Sequence, residues 1–355
     1  MKRLFTFILT LTMAFSFCVN SFAAAATTTT ATETTAATAA TTEASADTSS
    51  TQTTGASYGT SKLSGAPDIV AESAVVMDAG TGTVLYGKEA STKRYPASIT
   101  KVMTALLAVE NCNMSDIITY SNAAVNGIEA GSSTAGINVG AKLTVEDSLY
   151  ALMLVSANEA AAAIAEHISG STTEFAKLMT KRAKELGCKN TQFKNPHGLP
   201  DEEHYTTAYD MGLILKEAMK HPEFRKIAGT ISYTLKKSDS LTDTLELWNH
   251  AKILRQNSDY YYEYAKGAKT GFTQVALNTL VTYAKKDNVE LICVILKDHG
   301  ADKSYTDTAN LFKWAFNQVK AVTPLTNFSL KTAMTENSSI CLLYTSPSPR
   351  DPKTS

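Results

Sequence analysis

Pro96-Ala97-Ser98-Ile99-Thr100-Lys101-Val102-Met103-Thr104-Ala105-Leu106-Leu107 joins a helix start to a candidate nucleophile and its base. Proline suits the first turn of a helix, where its missing N–H would have had no partner, so the pattern predicts a helix opening at Pro96. Val102, Met103, Leu106 and Leu107 then share one face of that helix. Ser98 and Lys101, three residues apart, bring an ammonium stem beside a hydroxyl, close to a helix N-terminus that favours developing negative charge. A serine hydroxyl is a poor nucleophile until a base takes its proton. A lysine can be that base only where burial or neighbouring cations lower its pKa. Taken alone, most such pairs on helices are simply solvated.

Around this helix, residues 67–319 alternate strand-like and helix-like segments, which predicts an α/β or α+β domain of about 250 residues. Residues 73–77 and 83–86 are β-prone and flank Asp78-Ala79-Gly80-Thr81-Gly82, a hairpin signal. Thr144-Val145-Glu146-Asp147 reads as a capping box that starts a second helix carrying Leu149, Leu152 and Met153. Residues 175–186 form a third amphipathic helix, stopped by Gly187. Residues 230–235, 277–284 and 289–296 read as strands, the last buried on both faces, and residues 311–318 as a closing helix.

Two further motifs accompany the first. In Ser156-Ala157-Asn158 a hydroxyl and a carboxamide two residues apart can face one cleft, one relaying a proton and the other binding a substrate amide. The same pair also caps helices routinely. Lys269-Thr270-Gly271-Phe272-Thr273 falls on an expected edge strand. There a glycine lets a ligand approach the backbone and free N–H groups can bind an extended peptide, although an ordinary solvent-facing strand reads the same way. S-x-x-K, S-x-N and K-T-G each occur once, in this order. That set belongs to penicillin-binding proteins and class A β-lactamases, with S-D-N as its usual middle element.

At these residues the chain resembles the serine-type D-alanyl-D-alanine carboxypeptidases, the low-molecular-weight penicillin-binding proteins. The likeness extends to Met77-Asp78-Ala79-Gly80-Thr81-Gly82, Asn195-Pro196-His197-Gly198-Leu199 and His204-Tyr205-Thr206-Thr207-Ala208-Tyr209-Asp210-Met211. The resemblance implies a β-lactamase/transpeptidase-like α+β domain, an antiparallel sheet flanked by helices with a helical subdomain. It implies Ser98 as the acylated nucleophile, Lys101 as its general base, Ser156 as proton relay and Asn158 as a substrate-orienting group. Lys269 and Thr270 would hold the peptide's terminal carboxylate, beside Gly271, and the N–H groups of Ser98 and Phe272 would form an oxyanion hole. The implied partners are a peptidoglycan stem peptide ending in D-Ala-D-Ala and, as covalent inhibitors, β-lactams; no cofactor or metal is implied. Glu159, Thr180 and Leu277 depart from the usual Asp, Asn and Gly. A class A-like β-lactamase would need an E-x-x-x-N element, which is absent, and the position nearest to it falls at Gln192. A catalytically silent envelope sensor or scaffold is the other alternative.

Composition bounds the rest. Among 355 residues, 33 Lys+Arg balance 34 Asp+Glu without a basic block, so a nucleic-acid footprint is missing. Five cysteines show no C-x-x-C pair, and six histidines show no H-E-x-x-H spacing, so neither a disulfide scaffold nor a metalloenzyme is supported. His197 and His204 read as structural hydrogen-bonders. Lys2 and Arg3, an apolar run over 4–19 and small residues at 21–26 give residues 1–25 the layout of a cleaved signal peptide, hence export to the cell envelope. Residues 26–65, nearly all Thr, Ala and Ser, read as a flexible linker. The catalytic domain is expected over 66–318 and the start of a truncated further domain over 319–337. Residues 338–355 resemble a translated sequencing adaptor and read as a non-native tail, so membrane attachment is not legible.

Overall fold

The computed structural model describes residues 61–237, 241, 243–322 and 341–344. The expected signal peptide and most of the linker, and most of 319–337 and 338–355, lie outside the described residues. In chain order the elements are β1 Ser61–Lys62, β2 Ser73–Asp78, β3 Val84–Lys88, α1 Lys101–Asn111, β4 Ile117–Thr119, α2 Asn122–Asn126 and β5 Lys142–Thr144. They continue with α3 Val145–Leu154, α4 Asn158–Ser169, α5 Thr172–Glu185, α6 Ala208–Ala218, α7 Pro222–Gly229, β6 Ser232–Leu235 and β7 Leu245–Trp248. The last are β8 Ala265–Thr273, β9 Leu277–Lys286, β10 Val289–Asp298, α8 Ala301–Gln318, β11 Val319–Val322 and β12 Cys341–Tyr344, the final two paired in parallel.

The central sheet has the order β1-β3-β2-β10-β9-β8, every pair antiparallel, which leaves β8 at an edge. Side chains alternate across a strand, and β10 uses both faces. Ile292, Val294 and Leu296 join the core shared with the helical block, whereas Leu291, Cys293 and Ile295 join the core under α8. Each such side chain contributes about 1.5–3 kcal/mol on full burial. The buried reading of this strand therefore holds, as does the hairpin of β2 and β3. Thr144 caps α3 as the capping box requires, its hydroxyl accepting from the Asp147 N–H at 3.0 Å. At Gly212 in α6 an added Cβ would overlap Met77 of β2, so glycine sets the distance of that helix from the sheet.

The structure corrects three helix expectations. Pro96 does not open an α-helix: Ala97–Thr100 is a 3-10 turn, and α1 begins at Lys101. Ala97 has φ 51, a left-handed conformation that costs a non-glycine residue about 1–2 kcal/mol and interrupts the helical path. Nor is α1 amphipathic in effect. Every residue from Lys101 to Ala108 is buried, because α3, α4, α5, α6 and α7 surround it. The closing helix starts at Ala301, ten residues ahead of the expected Leu311. Its polar first half hides the apolar period but turns inward Asp307, whose Oδ2 accepts the N–H groups of Val70 at 2.7 Å and Ala71 at 3.1 Å.

The loop 189–206 supplies one wall of the site and is anchored by the buried Asp210 on α6. Its carboxylate accepts from the Asn190 N–H at 2.8 Å and the Thr191 hydroxyl at 2.7 Å. Replacing it strands buried donors, each worth about 1–3 kcal/mol. Asp210→Ala is expected to lower the unfolding free energy by about 2–4 kcal/mol in urea denaturation. A loss below about 0.5 kcal/mol would show that the loop is held otherwise.

Candidate active site

Three chain segments meet at one buried amine. Lys101 is 0% exposed, and its Nζ lies 3.1 Å from Ser98 Oγ, 2.7 Å from Asn158 Oδ1 and 2.7 Å from the His197 carbonyl oxygen. Both carbonyl-type oxygens can only accept. A neutral amine satisfies them with its two hydrogens and keeps its lone pair for the Ser98 hydroxyl. Burial holds the Lys101 pKa well below the ordinary lysine value, the positive charge of Lys269 pushes it the same way, and Glu159 opposes both.

Lys269 is 1% exposed and donates to the Thr270 carbonyl at 2.9 Å. Burial alone pulls its pKa to about 7. Gly271 on the same strand packs on the Ser98 turn: an added Cβ would lie 2.7 Å from Ser98 N and would overlap the Thr279 hydroxyl. That hydroxyl donates to the Pro96 carbonyl at 2.9 Å, fastening the turn to β9. Strand β8 therefore fixes where the Ser98 hydroxyl stands.

Ser156 connects α3 to α4 with φ 63, and its buried hydroxyl has no hydrogen-bond partner among the described residues. An unsatisfied buried hydroxyl costs about 1–3 kcal/mol and the left-handed backbone a similar amount. Strain and a free donor coincide where this hydroxyl faces the cleft. That cleft, about 380 Å³, is lined by Ser98, Ser156, Asn158, Thr270, Gly271 and Phe272 among others. The structure thus brings six of the eight sequence-predicted residues to one surface and puts Lys101 and Lys269 behind it, buried.

Sequence reasoning missed several contributors. Glu159 stood out only as a departure, yet its Oε1 accepts from the Thr134 hydroxyl at 2.7 Å and from the N–H groups of Ala135 at 2.7 Å and Gly136 at 3.1 Å. It thereby pins the loop whose Gly131, Ser132 and Ser133 line the cleft. His197 serves through its backbone carbonyl, which no side-chain motif reveals. Its ring is driven to about 3 and that of His204 to about 4, both chiefly by burial, so both are neutral near pH 7. His204 bonds Thr100 Oγ1 at 2.9 Å and accepts from the Lys194 N–H at 3.1 Å, a structural part as expected. Leu277 has φ 55, which explains why glycine is usual at that position. His250, Asn278 and Tyr305 also line the cleft, and nothing in the sequence marked them.

Among the described residues, the one grouping with metal-ligand spacing is Glu110, Glu217 and His221. Arg182 already occupies its carboxylates, at 2.6 Å from Glu110 and 3.6 Å from Glu217. Cys112, Cys188 and Cys293 are free thiols. No helix among the described residues is long and apolar enough to cross a membrane.

An antiparallel sheet with an edge K-T-G strand, and a Ser-x-x-Lys pair spanning a 3-10 turn and the start of α1, define the transpeptidase-like class that penicillin-binding proteins share with class A β-lactamases. The sequence profile of the D-alanyl-D-alanine carboxypeptidases matches residues 60–300, and the chain belongs to that family. It is 37% identical over 255 residues to D-alanyl-D-alanine carboxypeptidase DacF of Bacillus subtilis, covering 70% of this chain and 62% of the relative. It is 32% identical to the D-alanyl-D-alanine carboxypeptidase of a Streptomyces species, covering 70% of this chain and 88% of that one. The crystal structure of D-alanyl-D-alanine carboxypeptidase from Mycobacterium tuberculosis superposes with a TM-score of 0.66 at 26% identity, covering 72% of this chain and 96% of that one. The match thus spans less than two thirds of the Bacillus relative.

The buried lysines make a prediction about pH. Lys269 titrates near 7 in the folded protein and near 10.5 when solvated, so between these values the unfolded chain binds a proton that the folded chain does not. Stability therefore rises with pH across that window. The wild-type unfolding free energy should climb from about pH 7 to 9, and Lys269→Met should climb less steeply, by up to about 1.4 kcal/mol per pH unit. Equal slopes would mean that Lys269 keeps an ordinary pKa.

Proposed function

We propose that this chain is a serine-type D-Ala-D-Ala carboxypeptidase that removes the terminal D-alanine from peptidoglycan stem peptides through an acyl-enzyme, and that β-lactams acylate it. The observation that carries this reading is the Lys101 amine held 3.1 Å from Ser98 Oγ by two acceptor-only partners. Ser98 Oγ attacks the carbonyl carbon of the penultimate D-alanine while its proton passes to Lys101 Nζ. The oxyanion forms against the N–H groups of Ser98 and Phe272. As the C–N bond breaks, Ser156 relays a proton to the departing amine of the terminal D-alanine. Asn158 orients the peptide, Thr270 and Lys269 hold its terminal carboxylate, whose charge raises the Lys269 pKa from about 7 and keeps that amine protonated, and water then hydrolyses the ester to free Ser98.

No Asp or Glu side chain lines the cleft among the described residues. Gln192, where a β-lactamase would need its deacylating carboxylate, carries a carboxamide, which cannot serve as a general base. Both features favour slow release of a β-lactam over fast turnover. We infer that residues 66–318 form the catalytic domain, because one hydrophobic core draws its residues from 75 to 296 and the other from 69 to 315, with Val319 just beyond. The leader-like residues 1–25 support work outside the cytoplasm, in the cell envelope.

The test incubates the chain separately with a fluorescent penicillin and with diacetyl-Lys-D-Ala-D-Ala. Stable labelling at Ser98 together with D-alanine release is expected, and Ser98→Ala should show neither. Lys101→Ala should fold normally and acylate at least about 100-fold more slowly, the range of a lost general base. Normal turnover by Lys101→Ala would remove the base from the account, and rapid loss of the penicillin label would favour a β-lactamase.

A further inference from the structure

Beyond the catalytic cleft, the turn between β8 and β9 overhangs a second pocket of about 420 Å³, lined by Lys93, Arg94, Tyr95, Tyr205, Val275 and Lys297 with Glu202 at an exposed lip. We propose that this pocket is a subsite for a free carboxylate carried by the substrate peptide upstream of the scissile bond. The proposal rests on the carboxypeptidase reading and extends it to substrate specificity.

Direction and reach come from β8. With the terminal carboxylate at Lys269 and Thr270 and the scissile carbonyl at the Phe272 N–H, the peptide runs antiparallel to the strand. Its upstream residues pass Thr273 toward Val275. Val275 sits in the turn that follows Thr273, the last residue of β8, so a peptide laid along the strand meets this turn one residue past Phe272 and Thr273. Two other segments connect the sites directly. Leu199 lines the cleft and Glu202 the pocket, and Ser98 lines the cleft three residues after Tyr95.

The charges suit an anion. Lys93 Nζ stands 4.0 Å from the Tyr205 ring centroid and forms no ion pair among the described residues. Arg94 and Lys297 share a single carboxylate, Glu72, each at 3.1 Å, and His299 reaches the same group. Lys297 is aimed there by a bulge in β10, where it takes φ 55. Bulges of this kind redirect a side chain beside a functional site. Three cations therefore face two carboxylates. Tyr95 and Val275, the latter 47% exposed, add an apolar surface for the aliphatic part of the same residue. A γ-linked glutamate two residues before the acyl-donating D-alanine would present a free α-carboxylate on this upstream side.

The experiment compares three substrates: diacetyl-Lys-D-Ala-D-Ala, a longer peptide bearing γ-linked D-glutamate with its α-carboxylate free, and that longer peptide with this carboxylate amidated. The wild-type enzyme should cleave the acid about fivefold faster than the amide in kcat/KM at low salt, the scale of an exposed charge pair. That preference should shrink at high salt and vanish in Lys93→Gln/Lys297→Gln. The short substrate should be cleaved by both proteins within twofold. Equal rates for acid and amide in the wild type, or a preference that survives in the double variant, would overturn the subsite while leaving the carboxypeptidase intact. Failure to cleave any of the three without labelling of Ser98 would overturn the carboxypeptidase reading and the subsite with it.

Discussion

Sealing a lysine amine from water disfavours its ammonium form unless an anion pairs with it, and none touches Lys101 Nζ among the described residues. Its three neighbours are a hydroxyl and two carbonyl-type oxygens. Burial first, and the charge of Lys269 second, favour the neutral amine, and much of the architecture serves that burial. Helix α1 runs through the middle of the helical block so that its first residue is fully covered. Asn158 arrives at the start of α4 and the His197 carbonyl on a loop tied down by Asp210. The second buried lysine, Lys269, when protonated, adds repulsion that disfavours protonation of the first.

Much of the backbone strain lies around the same place. Among the described residues, six that are not glycine have positive φ, and four of them are Ala97, Ser156, Leu277 and Lys297. Each of these four flanks the cleft or the adjoining pocket. Conformations of this kind cost about 1–3 kcal/mol apiece and persist only where the surroundings over-determine them. Here the surroundings are two cores, one on each face of the sheet, joined through β2 and β10. A rigid sheet therefore holds the Ser98 turn against the edge strand, and the open side of that strand is left for a peptide.

How much of this was legible depended on whether the signal was local. The three motifs were readable as residue types at fixed spacing, and the hairpin, α3 and the buried strand followed from period and capping. The 3-10 turn at Ala97 was not, because proline marks a helix start equally well whether the first turn is α or 3-10. The early start of α8 was hidden by polar residues that face inward to bond a distant backbone. Glu159 and the His197 carbonyl depend on partners 23 and 96 residues away, Gly136 and Lys101 respectively, so only the folded chain reveals their parts. Leu277 was noticed as a departure, but its left-handed φ needed the coordinates.

The central claim is that Lys101 is uncharged when Ser98 reacts. The most direct measurement is the 15N chemical shift of the lysine side-chain nitrogens at pH 8, with the Lys101 signal assigned by its loss in Lys101→Ala. The account predicts that this nitrogen resonates as a neutral amine. A Lys101 nitrogen that resonates as an ammonium at pH 8 would contradict it.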